Sequence, residues 1–130
     1  MIRTRVLLVD RDEPEPGPIA EAAAVLRRGG LVAFATETVY GLGAVATDAD
    51  AVRGIFEAKG RPSTNPLIVH AADVDHARTF AARWDDRTDL LARRFWPGPL
   101  TLVVPRAAAI PDVVAAGGPT VGLRVPGPTV

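Results

Sequence analysis

Residues 31–43, LVAFATETVYGLG, join a short apolar run to a polar turn, and they determine how the sequence around them is interpreted. The apolar residues 31–35 predict a short buried strand. Residues 36–43 then supply two threonine hydroxyls, a carboxylate and a phenol, and their two glycines allow a backbone to approach a ligand closely. Because a helix is predicted next, we expect a strand-to-helix connection that forms the rim of a pocket. An ordinary turn whose threonine caps the helix is an equal alternative.

Outward from this segment, predicted strands and helices alternate along the chain. The predicted strands are residues 3–9, 31–35, 67–70, 100–104 and 120–125, and the predicted helices are residues 19–28, 48–58, 73–82 and 86–95. Such alternation is typical of the α/β or α+β class. The 130 residues suit one domain, 1–130, and a hydrophobic content of 48% is enough to form a core.

Composition and charge exclude several kinds of protein. The chain has no cysteine, so neither a disulfide framework nor a thiolate metal site can form. No apolar run reaches the ~18 residues of a membrane span, and a cytoplasmic location is expected. The formal net charge is zero, so a nucleic acid would have to meet a local basic patch.

Two cations stand close together on a loop that glycine and proline stiffen, residues 59–67 (KGRPSTNPL). Lys59, the only lysine, provides a compact ammonium, and Arg61 provides a planar fork suited to phosphate. This pair suits a nucleotide triphosphate. The alternative is a helix C-terminus at which cations favour the macrodipole; it accounts for Lys59 better than for Arg61 or Asn65.

Three further features are ambiguous when taken alone. His70 ends a predicted strand, where a lone histidine is more often structural than catalytic. The segment FWPGPLT at residues 95–101 is more typical of a packing corner than of a surface that stacks a base. Arg124 lies between apolar residues in the last predicted strand, so it either lies on an exposed face or needs an anionic partner from the protein or a ligand.

The common phosphate motifs and nucleophile elbows are missing from the sequence, and its carboxylates show no pairing. A metal site built from protein ligands is therefore not expected. Local reasoning reaches an anion-binding α/β domain and no further.

The ordered segments together resemble one family. The pieces GGLVAFATETVYGLGAVATDADAV, IFEAKGRPSTNPLIVH, FWPGPLTLVVP and TVGLRVP are similar, in this order, to the YrdC/Sua5/YciO family over residues 19–125. The resemblance implies a twisted mixed sheet with flanking helices around a concave basic cavity. It also implies synthesis of threonylcarbamoyl-AMP and pyrophosphate from L-threonine, bicarbonate and ATP. A separate transferase complex would then use the product on adenosine 37 of tRNA, and Mg²⁺ would be held mainly by the ATP phosphates.

The resemblance also assigns roles to residues. Thr38, His70 and Arg124 would bind threonine, and Thr36 and Tyr40 would line the pocket. ATP would be bound by Lys59, Arg61, Asn65 and Thr120, of which Lys59 and Arg61 would also be catalytic.

The family continues with a Ser-x-Asn segment that this sequence does not contain after its last predicted strand, so we expect an incomplete nucleotide site and sheet. Two alternatives stay open. One is a related enzyme for another carbamoyl substrate. The other is a non-catalytic module for double-stranded RNA or tRNA, with a patch drawn from Arg27, Arg28, Arg53, Arg93 and Arg94.

Overall fold

The computed structural model describes residues 3–37 and 39–127, which form two small sheets flanked by helices. The helices are α1 (Pro16–Arg27), α2 (Ala49–Lys59), α3 (Val74–Arg78) and α4 (Asp86–Phe95), and the strands are β1 (Val32–Ala35), β2 (Tyr40–Gly43), β3 (Ile68–His70), β4 (Leu102–Pro105) and β5 (Thr120–Arg124).

The two sheets differ in topology. Strands β1 and β2 pair antiparallel as a hairpin. The second sheet has the order β3-β5-β4, in which β3 runs parallel to β5 and β4 runs antiparallel to it. The sheet is therefore mixed, and the predicted α/β class is confirmed.

Alternation along β5 separates a core face from a second face. Val121 and Leu123 are buried in the hydrophobic core together with Val52 and Phe56 of α2. Successive side chains of a strand point to opposite faces. Thr120, Gly122 and Arg124 therefore lie on the face turned away from the core.

Local signals explain the helix that leads into the cation loop. The Asp48 carboxylate accepts hydrogen bonds from the N–H groups of Asp50 and Ala51 and caps the first turn of α2. At the other end Gly60 adopts a left-handed conformation, with φ of 62°, that residues other than glycine seldom take. The helix therefore ends at Lys59.

Three sequence-based predictions of elements were wrong. Residues 3–9 form no strand, and the side chains of Val6 and Leu8 are exposed; among the described residues no strand lies beside this segment. Residues 40–43 form β2, so the segment after β1 is a hairpin turn and not a strand-to-helix connection. Helix α3 ends at Arg78, because Ala81 instead bridges to Arg106 at the end of β4.

Within the described part of the chain, every helix is too short or too polar to cross a lipid bilayer.

Candidate functional site

Arg124, at the end of β5, is the one charged residue among the buried residues described. Its Nε donates a hydrogen bond to the carbonyl oxygen of Gly98 over 2.9 Å. Its Nη2 forms an ion pair with the carboxylate of Glu37. The expectation that a buried Arg124 needs an anionic partner is confirmed, and the alternative of an exposed position is wrong.

Glu37 also ties the β1–β2 turn to the chain that follows β5. Its Oε2 accepts a hydrogen bond from the Gly127 N–H over 2.6 Å. Its own N–H donates to the Gly127 carbonyl oxygen over 2.5 Å. We call this double contact the Glu37–Gly127 clasp. It lays the turn over Arg124, whose side chain is about 10% exposed, whereas that of Glu37 is 25% exposed and stays at the rim.

Sequence reasoning missed the role of Glu37. It recorded a carboxylate between two threonines without pairing it with Arg124, because 87 positions separate them in the sequence. Charge balance was the signal that could have predicted this pair. A buried guanidinium needs a counter-charge, and the turn quoted at the outset contains an acid among residues predicted to line a pocket.

His70 faces the same side of the sheet as Arg124, because the two residues are direct neighbours in the parallel pairing of β3 and β5. Its ring packs edge-on against Phe34 of β1, with ring centroids 5.8 Å apart. Burial lowers the pKa of His70, since removal from water disfavours the charged imidazolium. Its buried Nδ1 has no hydrogen-bond partner among the described residues. A neutral imidazole can accept a hydrogen bond there from a bound hydroxyl.

Thr120 lies at the opposite end of β5 from Arg124 and lines a shallow groove of about 210 Å³. Ile68 and Val103 form apolar walls of this groove and are exposed on its surface. Gly122 forms the floor: an added Cβ would lie 3.1 Å from the Thr101 methyl carbon. The groove is smaller than a typical ligand pocket, so it suits one part of a nucleotide and not a whole one.

Of the two predicted phosphate cations, Arg61 contacts the edge of the groove. Lys59 is exposed at the C-terminus of α2. The Arg61 Nη2 donates to the carbonyl oxygen of Pro66 over 3.1 Å, and Pro66 lines the groove. Asn65 is exposed, and its N–H donates to the Pro62 carbonyl oxygen, which folds the loop into a turn. The Arg61 N–H also donates to the Phe56 carbonyl oxygen of α2 over 3.0 Å, so the observed bonds of Arg61 and Asn65 reach this loop and α2 but not Arg124.

The remaining predicted residues belong to the β1–β2 turn. The Thr36 hydroxyl donates to the Val39 carbonyl oxygen over 2.7 Å and stabilises the turn. Tyr40 is 81% exposed and pairs with Ala35, so it does not share the side of the hairpin on which Phe34 meets His70. Thr38 lies outside the described residues.

The aromatic corner is structural at Trp96, as predicted, whereas Phe95 is exposed. Trp96 is buried, its Nε1 donates to the Leu100 carbonyl oxygen over 2.7 Å, and its ring packs against Trp84. The corner also reaches the site, because the carbonyl of Gly98 holds Arg124.

The described residues outside this site offer little for binding a metal ion or a nucleic acid. In the ranges that the structure describes, no group of three histidine or acidic residues could hold a metal ion. Of the arginines considered for an RNA patch, Arg53 pairs with Asp50 and Arg93 with Asp89. These carboxylates reduce the positive charge available to a nucleic acid.

Comparison with known proteins gives consistent matches. The family model Sua5_yciO_yrdC, described as "Telomere recombination", matches residues 24–130. Threonylcarbamoyl-AMP synthase of Pyrococcus abyssi is 49% identical over 121 residues, which are 93% of this chain and 36% of that protein. The Bacillus subtilis protein of the same name is 52% identical over 109 residues, 83% of this chain and 32% of its own length.

A solved structure agrees in fold. The crystal structure of P. abyssi Sua5 complexed with L-threonine superimposes with a TM-score of 0.91 at 48% identity, covering 95% of this chain and 36% of that one. The chain thus spans about a third of the length of these relatives.

Proposed function

We propose that this chain, which belongs to the Sua5/YrdC/YciO family, makes threonylcarbamoyl-AMP and pyrophosphate from L-threonine, bicarbonate and ATP. The observation that carries the proposal is the buried Arg124 beside His70 on the face of the sheet turned away from the core. A guanidinium can hold the threonine carboxylate, and the Nδ1 of a neutral imidazole can accept from the threonine hydroxyl. L-Threonine is the ligand bound to the P. abyssi relative.

The nucleotide would lie along the same face. Thr120 and the apolar walls of the groove would hold part of ATP, and Asn65, Arg61 and Lys59 would approach its phosphates from the adjoining loop. Mg²⁺ would arrive bound to ATP, because it prefers phosphate and water oxygens as ligands. When bound, it would neutralise negative charge on the phosphates.

The reaction requires positioning more than acid–base chemistry. The threonine amine bonds to the carbon of carbon dioxide with loss of a proton, or to that of bicarbonate with loss of water, and either route gives a carbamate. A carbamate oxygen then bonds to the α-phosphorus of ATP while the bond to pyrophosphate breaks. Lys59 and Arg61 stabilise the negative charge that passes to the leaving pyrophosphate.

The product would be passed to a separate transferase complex that modifies adenosine 37 of tRNA, and we propose the cytoplasm as the location of this work. Direct binding of tRNA or duplex RNA is a weaker proposal, because Arg53 and Arg93 are already paired with carboxylates.

Pyrophosphate release by the full-length protein tests the proposal. With ATP and bicarbonate present, release should depend on L-threonine. Arg61→Ala and Lys59→Ala should each lower it by about tenfold or more, because each removes a cation from the phosphates. The matched control is Arg53→Ala. Arg53 lies on α2, the helix that ends at Lys59, and its side chain pairs with Asp50, so this variant should keep normal turnover.

Normal turnover in both the Lys59 and Arg61 variants would contradict the nucleotide assignment. Release supported by a different amine in place of L-threonine would favour an enzyme for another carbamoyl substrate. Salt-dependent binding to duplex RNA without threonine-dependent release would favour the RNA-binding module.

A further inference from the structure

The Arg124–Glu37 ion pair sits where the proposed function requires a free guanidinium. Arg124 is buried and its Nη2 is paired with Glu37, while its Nε is fixed by the Gly98 carbonyl. A substrate carboxylate that approached Nη2 would therefore meet a carboxylate already in place. The inference below rests on the proposed function, because it concerns how threonine enters this same site.

Charge balance decides what can enter. One guanidinium and one carboxylate make a neutral pair. A ligand with a lone carboxylate would leave two anions around one partly buried cation, and the extra charge would be poorly solvated. A zwitterionic amino acid adds no net charge. The ligand carboxylate can pair with the Arg124 Nη2. The ligand ammonium group can then pair with the Glu37 carboxylate that Nη2 has released.

The position of Glu37 fits this exchange. Its side chain is more exposed than that of Arg124, at 25% against 10%, so it lies on the outer side of the pair. Its backbone N–H and its Oε2 are both held by Gly127. The clasp can therefore keep the carboxylate at the rim after its contact with Arg124 is broken.

We infer that Glu37 is a substrate-binding residue: its carboxylate receives the α-ammonium group of threonine and, through the charge of the ion pair, makes the site selective for a zwitterion. Two simpler roles of Glu37 predict different effects of its loss on ligand binding. If Glu37 only held Arg124 in position, its loss would weaken the binding of every carboxylate ligand. If it only occupied the guanidinium, its loss would strengthen the binding of all of them.

Calorimetric titration of two ligands separates these roles. The ligands are L-threonine and (R)-3-hydroxybutyrate, which keeps the carboxylate and the hydroxyl of threonine but has no amine. The full-length wild-type protein should bind L-threonine and bind (R)-3-hydroxybutyrate far more weakly. In Glu37→Gln, the Kd for L-threonine should rise about tenfold or more, because a charged hydrogen bond is lost. The Kd for (R)-3-hydroxybutyrate should fall, because the competing carboxylate is gone.

Two control variants accompany the titration. Glu21→Gln removes a surface carboxylate that pairs with Arg5 and should leave both Kd values unchanged. Glu37→Asp keeps the charge and should keep the preference for L-threonine, which provides a test even if Glu37→Gln does not fold.

Any result in which the two Kd values move in the same direction in folded Glu37→Gln, or in which neither changes, would overturn the inference. So would a Glu37→Asp variant that binds both ligands equally. Failure of the proposed function is visible earlier and separately, because the wild-type protein would then not bind L-threonine at all.

Discussion

The side chains that define the site are unusual for their positions, and burial explains why. Arg124 is charged yet buried, and His70 has a buried nitrogen without a partner among the described residues. Groups of this kind lower stability unless something compensates them. Glu37 compensates Arg124, whereas for His70 the proposed compensation is the hydroxyl group of the substrate.

The lowered pKa of His70 predicts how stability changes with pH. In the folded protein burial favours the neutral ring, so below about pH 6.5, the ordinary value, the unfolded chain binds more protons than the folded one. Stability should therefore be lost progressively as the pH falls below about 6.5. Urea denaturation should show a steeper loss in wild type than in His70→Asn. Equal losses in the two proteins would contradict the burial of this ring.

The hairpin β1–β2 packs against the site, and glycine makes this packing possible. A Cβ on Gly43 would lie 2.8 Å from a ring carbon of Phe34, and one on Gly41 would lie 3.4 Å from the same ring. Phe34 in turn packs against His70. The backbone of β2 therefore sets how closely the aromatic ring and the histidine approach.

This packing predicts different effects for two substitutions in one strand. Gly43→Ala should lower the free energy of unfolding by about 1–3 kcal/mol and weaken threonine binding, because the Phe34 ring, which packs against His70, must shift. Gly41→Ala is the matched control. Its added Cβ would make an ordinary contact with the Phe34 ring, so the free energy of unfolding and the threonine affinity should change less. Chemical denaturation and calorimetry measure the two effects. Equal effects of the two substitutions would contradict the proposed packing.

The elements differ in how well the sequence predicted them. Helices α2 and α4 were predicted within one or two residues, because Asp48 caps the first and the second ends before the Trp96–Pro99 corner. Strand β2 was missed, because YGLG has no β-branched residue and contains two glycines, which are depleted in strands, and its pairing with β1 is a tertiary property. Residues 3–9 look like a strand by composition alone and pair with no strand in the described ranges.

At the scale of the molecule, the register of one sheet assembles the site. The pairing of β3 with β5 places His70 beside Arg124, and strand alternation puts Thr120 on the same face. The resemblance gave these residues roles from the sequence, but their common face appears only when the strands pair. The Glu37–Arg124 contact could not be predicted from local patterns, because it depends on how the hairpin lies over the second sheet.

The central claim is that L-threonine binds at Arg124 and His70, and NMR of the wild-type protein tests it most directly. The Arg124 Nε–H is buried and hydrogen-bonded to Gly98, so its signal should be protected from exchange with water. Titration with L-threonine should shift this signal and the His70 ring signals along one saturable curve. Saturable binding that moves signals elsewhere and leaves both of these unchanged, or no saturable shift at all, would contradict the account.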